Sequence, residues 1–257
     1  MRQIFISRVS LYMKLHRAVR QQTRETSPVR SRTLSHLLFI SKFSIGIYKR
    51  VPWNIVYIPD YFRQNDFDEI RRFIGENPFA FLLFPVGDEV TTTLIPLIYE
   101  VEDGKLVIYG HMAKNNPQWK IARDRKVTLL FSGPHHYISP VWYEIRKAVP
   151  TWNYVSVRIT GTLRILERKE TEDFLIRLST SFDEGWRREG REKEAYYQKM
   201  IGDIVAFRVV SETIDAAWKL SQNHSAGDRR GVIENLEKAG DDDARIMAGM
   251  MRKMMEK

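Results

Sequence analysis

Rings and amides fall together at four places in this 257-residue chain. GHMAKNNPQWK (Gly110 to Lys120), GPHHYISPVWY (Gly133 to Tyr143), VPTWNY (Val149 to Tyr154) and AWKLSQN (Ala217 to Asn223) each join aromatic side chains to amide or hydroxyl groups. The first three add proline or glycine. Such a mixture suits a planar heteroaromatic ligand: rings cover its faces, amides match the donors and acceptors of its edge, and Lys or Ser meets a phosphate. The stretch Ser132 to Gly161 alone holds two histidines, two tryptophans, three tyrosines and three prolines. A plain core would draw on Leu, Ile and Val instead.

Other chemistries lack their residues. No glycine-rich phosphate cradle of the Rossmann or P-loop type is present, and no G-x-S-x-G nucleophile elbow. The absence of cysteine removes disulfides, thiolate metal sites and a cysteine nucleophile. His135 and His136 are adjacent, so on a strand they face opposite sides and do not share one ion. His111 has two readings, a hydrogen-bonded structural histidine or a ligand contact; a metal shared with His135 or His136 across the sheet is disfavoured, since no HExxH motif and no cysteine accompany it. The acidic residues fall on solvated helical patterns, so no glycosidase-type pair is assigned.

The elements that position these segments read as α+β. NDFDEIRRFIGENP sets Phe67, Ile70, Phe73 and Ile74 on one helical face, with Asn65 or Asp66 as cap and Pro78 as stop. FAFLLFPV, VTTTLIPLIYE and KLVIYGH form an antiparallel meander around turns at Gly87-Asp88 and Asp103-Gly104. Pro96 suggests an edge or a bulge. A loop with a short helix leads to VTLLFSG, and YVSVRITGTLRIL gives a long strand bent at Gly161. Helical spacing over Lys169 to Met200 is followed by a strand pair, DIVAFRVV and TIDAAWKL, and two C-terminal helices. The last carries an Ile246, Met247, Met250, Met251, Met254, Met255 stripe that docks on the chain's own core or on a dimer partner. Six or seven strands with helices at the ends indicate a β-barrel.

The formal charge of +9 is lopsided. Residues 1–55 carry eleven Lys or Arg against Glu25 alone, a net of +10, which leaves 30 basic and 31 acidic groups elsewhere, a net of −1. The body is therefore not a cationic protein, which weighs against direct nucleic-acid binding by it. The basic extension has the composition of a transit peptide, a nucleic-acid arm, an unstructured tail or residues read from too early a start, with the domain proper over 56–257. Its most apolar run, Leu37 to Tyr48, is interrupted by Lys42 and is far short of the roughly 20 residues of a spanning helix. A cytoplasmic protein with no membrane association is expected.

VYIPDYF, GHMAKNNPQW, GPHHYISPVWY, VPTWNY and KLSQN, in this order and at these separations, resemble the PaiB family, the FMN-binding negative transcriptional regulators of bacteria. The resemblance covers Val56 to the C-terminus. It implies an FMN-binding split β-barrel with flanking helices, a homodimer with FMN at the seam, and repression of genes for sporulation and degradative enzymes such as proteases. In such barrels a strand end and the following helix start receive the flavin phosphate. That makes His111, Ala113, Asn116, Trp119 and Lys120 candidate cofactor contacts, with Lys120 or Lys114 as phosphate cation. Trp152 and the group Lys219, Ser221, Gln222 and Asn223 then close the pocket.

Two positions depart from the family pattern: Leu94 where Thr-His-Leu-Pro carries histidine, and His224 where arginine often follows Ser-Gln-Asn. Three functions compete. The first is an FMN-binding repressor that reaches promoter DNA directly or through a partner, with the charged FDEGWRREGREK as the patch to test against its reading as a solvated helical face. The second is an FMN-dependent oxidoreductase, and the third a haem-binding or haem-degrading barrel with His111 or His135 as axial ligand.

Overall fold

The computed structural model describes residues 56–145, 148–188, 190 and 193–256. Expectations placed on residues 1–55, and part of those on the charged run from Phe182 to Lys193, lie outside the described residues. Six strands close into an antiparallel barrel in the order β1-β2-β3-β6-β5-β4: β1 (Phe79–Val86), β2 (Glu89–Glu102), β3 (Lys105–Ala113), β4 (Lys126–Ile138), β5 (Thr151–Ile165) and β6 (Ile204–Lys219). The described helices are α1 (Phe67–Glu76), α2 (Gln118–Ala122), α3 (Arg168–Phe182), two short pieces α4 (Glu184–Arg188) and α5 (Ala195–Met200), and a C-terminal pair, α6 (Ala226–Ala239) and α7 (Asp242–Met255).

Period-2 alternation builds the barrel. In β1, Ala80, Leu82 and Phe84 point inward and are buried, while Phe79 and Phe81 point out. The same parity buries Leu106, Ile108 and Met112 of β3, Leu129 and Phe131 of β4, and Val155, Val157 and Ile159 of β5 in one core. Each fully buried Leu, Ile or Phe contributes about 1.5–3 kcal/mol. Outside, Val107 and Tyr109 of β3 form a second cluster with Phe174, Leu175 and Leu178 of α3. Asp66 caps α1 by accepting from the Asp68 and Glu69 amides, as its sequence predicts.

Three expectations are corrected. DIVAFRVV and TIDAAWKL are one continuous 16-residue strand, not a pair. The polar Ser211-Glu212 between them is a bulge: pairing steps from Thr160↔Thr213 to Gly161↔Ser211, and no turn residue is present to reverse the chain. Pro96 lies at no edge, because the barrel has none. It pairs with Phe79 where β2 passes from β1 to β3, a corner at which its missing N–H breaks no continuous ladder. Finally, β4 does not stop at Gly133 but continues through a bulge between Ser132 and His135.

Both bulges depend on glycine. A Cβ at Gly133 would lie 2.3 Å from the Phe73 ring, and one at Gly161 would lie 2.1 Å from the Val210 carbonyl. The Met stripe of α7 docks on the barrel core, with Met247 and Met251 buried. Ile246 stays 53% exposed.

Candidate functional site

The candidate residues divide into two groups at opposite ends of β6. Ala113, at the end of β3, pairs with Ile204, the first residue of β6, whereas Lys219, the last, pairs with Tyr154 of β5. The His111 to Lys120 corner and the Trp152 to Asn223 strip therefore do not form one pocket within a single barrel.

At the first corner, β3 delivers His111 to the outer face beneath α3, where its ring meets Phe174 at 6.0 Å. Its Nδ1 is enclosed without a hydrogen-bond partner. Burial lowers its pKa and keeps it neutral at pH 7. The hydrogen-bonded structural reading is thus contradicted. His111 does not meet His135 or His136, because β6 and β5 stand between β3 and β4. Ala113 is exposed.

Beyond it the chain turns into α2 around a buried amide network. Asn116 Nδ2 donates to Thr93 Oγ1 at 2.9 Å, and its Oδ1 accepts from the Gln118 amide at 2.9 Å. Gln118, 3% exposed, donates through Nε2 to the Leu82 carbonyl (3.2 Å), the Thr91 carbonyl (3.1 Å) and Thr91 Oγ1 (3.0 Å). Its Oε1 accepts from the Thr93 hydroxyl. Gln118 therefore fixes the loop to β1 and β2, a role its sequence context does not separate from ligand binding. The alternating Thr91 and Thr93 were the available signal. Trp119 is half-buried, with its indole Nε1 donating to the Lys114 carbonyl at 2.9 Å. Lys114 donates to the Gly202 carbonyl at 3.2 Å. Lys120 is exposed, its ammonium 5.5 Å from the Trp119 ring and without an ion pair among the described residues.

The second group is a strip of rings on the outer face of β4 and β5. Trp152, 54% exposed, stands opposite Tyr137 at 6.0 Å and near His135 at 6.2 Å. Tyr154 is 40% exposed and faces Lys219. The Lys219 ammonium donates to Thr151 Oγ1 at 2.6 Å and lies 5.9 Å from the rings of both Phe62 and Tyr154. Desolvation lowers its pKa. Ser221 is buried, held at φ +61° with its hydroxyl engaged by Asn153 at 3.0 Å. Gln222 accepts from the Leu220 amide at 2.7 Å and donates to the Trp218 carbonyl. Asn223 is exposed.

The remaining rings of this region face inward or sideways. His136 stacks on Trp142 and lies 3.4 Å from Asp241, while His135 lies 3.5 Å from Asp243, so β4 holds the first turn of α7. Tyr143 stacks flat on His224 at 4.4 Å, and His224 lies 3.7 Å from Asp228. Asp228 accepts from the Glu144 and Ile145 amides at 2.8 and 3.3 Å. His224 thus ties α6 to the loop after β4. Leu94 is 45% exposed and opposite Phe81, an apolar surface position. Among the described residues no group of three metal-ligating side chains gathers, and no helix is long and apolar enough to cross a membrane.

A separate groove of about 700 Å³ runs between α1 and α7 over Phe73 and Trp218 and includes none of the candidate cofactor contacts.

A sequence profile described as "Putative FMN-binding domain" matches residues 56–213. The protease synthase and sporulation protein PAI 2 of Bacillus subtilis is 33% identical over 211 residues, covering 79% of this chain and 99% of that one. An uncharacterized protein of Emericella nidulans is 27% identical over 233 residues, covering 73% of this chain and 92% of that one, so relatives extend into fungi. In structure, the chain is similar to the FAD and heme binding protein of Mycobacterium smegmatis (TM-score 0.52, 12% identity, 70% of this chain and 80% of that one). It is also similar to the flavocytochrome Anf3 of Azotobacter vinelandii (TM-score 0.51, 12% identity, 63% and 72%). These two likenesses carry the barrel fold. With the profile match and the Bacillus identity over nearly that protein's full length, the chain belongs to the PaiB family of FMN-binding split-barrel proteins.

Proposed function

We propose that the chain is an FMN-dependent regulator of gene expression, repressing sporulation and degradative-enzyme genes as a homodimer that shares each flavin between two copies. The observation that carries this reading is the separation of the candidate contacts. Each end of β6 offers half of a flavin site, and a second barrel supplies the other half. An apolar outer face supports the pairing: Phe79, Phe81, Val90 and Leu94 on β1 and β2 are 36–60% exposed, more than scattered surface residues explain.

The donor set fits FMN. At the first corner Lys120 carries an ammonium without an ion pair among the described residues, available for the phosphate, and Trp119 offers a half-exposed face. At the second, Trp152 and Tyr154 present ring faces beside the Lys219 charge. Lys114, engaged by Gly202, is the weaker phosphate candidate. Bound FMN supplies hydride or electron chemistry that side chains lack. Gln118 and Asn116 hold the corner rigid, and α3 excludes water from the inner edge of His111. The haem reading is less favoured, since His135 faces Asp243 and the His111 Nδ1 is enclosed.

The regulatory part rests on the relationship to the Bacillus sporulation protein. Promoter contact runs through a partner protein, because many cations of the domain are already in ion pairs, including Arg158–Asp215 and Lys126–Glu212 on the barrel and Arg252–Glu237 between α7 and α6. FMN titration of the dialysed protein, followed by flavin fluorescence, tests the cofactor part. Saturable quenching weakened by Lys120→Ala is expected, and no binding up to about 1 mM FMN would overturn it. A mobility shift of promoter DNA by the protein alone would overturn the partner route. The exposed Trp152 and Tyr154 rings also leave room for a second planar molecule, which favours an FMN-dependent oxidoreductase as the second reading. Flavin reduction by NADH or NADPH at a useful rate would support it.

A further inference from the structure

Lys219, unlike the exposed Lys120, carries a partly desolvated charge that no carboxylate balances among the described residues. It is half-buried, and its ammonium has a hydroxyl and two ring faces around it. No carboxylate pairs with it among the described residues. The acid nearest along the same face of β6, Asp215, is held by Arg158 at 2.9 Å and Arg63 at 3.8 Å. A desolvated cation without a counter-ion is costly, and burial accordingly depresses its pKa. Its neighbours on the sheet surface are stacking platforms, the half-exposed rings of Trp152 and Tyr154, a setting for a planar ring rather than for a phosphate.

Resting on the flavin reading above, we propose that Lys219 is the counter-charge to the flavin ring, selecting the reduced anion over the oxidised neutral form. Two electrons and one proton entering the oxidised ring leave it with one net negative charge, which an unpaired ammonium beside the stacking face stabilises. Oxidised FMN gains little from the same contact. The phosphate is held at the Lys120 corner instead.

The test compares wild type, Lys219→Met and Lys219→Arg in the full chain. FMN and riboflavin affinities are read by fluorescence, and the midpoint potential by dithionite reduction against a reference dye. Lys219→Met should weaken oxidised FMN and riboflavin equally and by less than about threefold, while lowering the preference for the reduced form about tenfold, a drop of about 30 mV for a two-electron couple. Lys219→Arg should keep the wild-type potential. An unchanged potential in Lys219→Met overturns the proposal. A loss confined to FMN and spared for riboflavin also overturns it, by moving Lys219 to the phosphate. If wild type binds neither flavin, the underlying flavin reading falls, and this proposal falls with it.

Discussion

Replacing Gln118 with leucine removes the amide that fixes the first half-site, at nearly constant volume. In the native chain its Nε2 serves three acceptors on β1 and β2, and its Oε1 receives the Thr93 hydroxyl. Leucine leaves those groups without that partner in a position only 3% exposed. Each lost hydrogen bond costs about 0.5–1.5 kcal/mol, and a group left buried and unpaired about 1–3. With two amide hydrogens shared among the three acceptors, and a hydroxyl free to rotate, a loss of about 2–4 kcal/mol results. For a domain of this size that lowers Tm by roughly 5–15 °C. Urea unfolding should show a lower midpoint at unchanged slope, since the surface exposed on unfolding is the same. FMN affinity should fall as well, because Trp119 and Lys120 lose their rigid mount. Gln118→Leu stability within about 0.5 kcal/mol of wild type would refute the reasoning, showing that the carbonyls are satisfied by water or by each other. A Gln118→Leu, Asn116→Ala double-mutant cycle should show coupling through the shared Thr93.

Two further outcomes follow from buried polar groups. His111→Phe replaces an unpartnered, enclosed nitrogen with apolar volume, so the protein should gain about 1 kcal/mol by thermal unfolding. Because burial lowers the His111 pKa, its neutral form favours folding above the ordinary histidine value, and that contribution is lost as pH falls through the lowered one. The variant should therefore also flatten the stability profile below about pH 6.5. Burial pushes the Asp228 carboxyl up, but the Ile145 and Glu144 amides, the Ser225 hydroxyl and His224 together hold it below its usual value. Its stabilising contribution is present above the ordinary carboxylate range and lost as pH drops through the lowered value. Asp228→Asn should remove that acid limb, as read from urea midpoints between about pH 5 and 2, and loosen α6 from the loop carrying Tyr143.

The barrel was legible where side-chain parity is simple. FAFLLFPV alternates in and out as its burial does, and Asp66 and Pro78 bound α1 by local chemistry alone. Legibility failed where tertiary contact overrides local signals. Gly133-Pro134 looks like a strand end, yet the glycine is needed because Phe73 presses on it and the strand resumes beyond. Ser211-Glu212 looks like a turn, yet it is a bulge inside one long strand. At the site the residue types were readable but their engagement was not. Asn116, Gln118, Ser221 and Gln222 have the same polar character as Asn223, and only the folded chain shows which of them already have partners. Nor does spacing along the sequence reveal that His111 and Lys219 stand at opposite ends of β6.

The shared site is tested most directly by complementation. Trp119→Ala, Lys120→Ala disables one half-site, and Trp152→Ala, Tyr154→Ala disables the other. Each double variant should bind FMN weakly alone. When the two are unfolded together and refolded as a mixture, heterodimers carry one intact composite site, and tight flavin binding should reappear at up to about one quarter of the wild-type stoichiometry by random pairing. A mixture that binds no better than its components would contradict the account, placing the whole flavin site within one barrel or elsewhere on the chain.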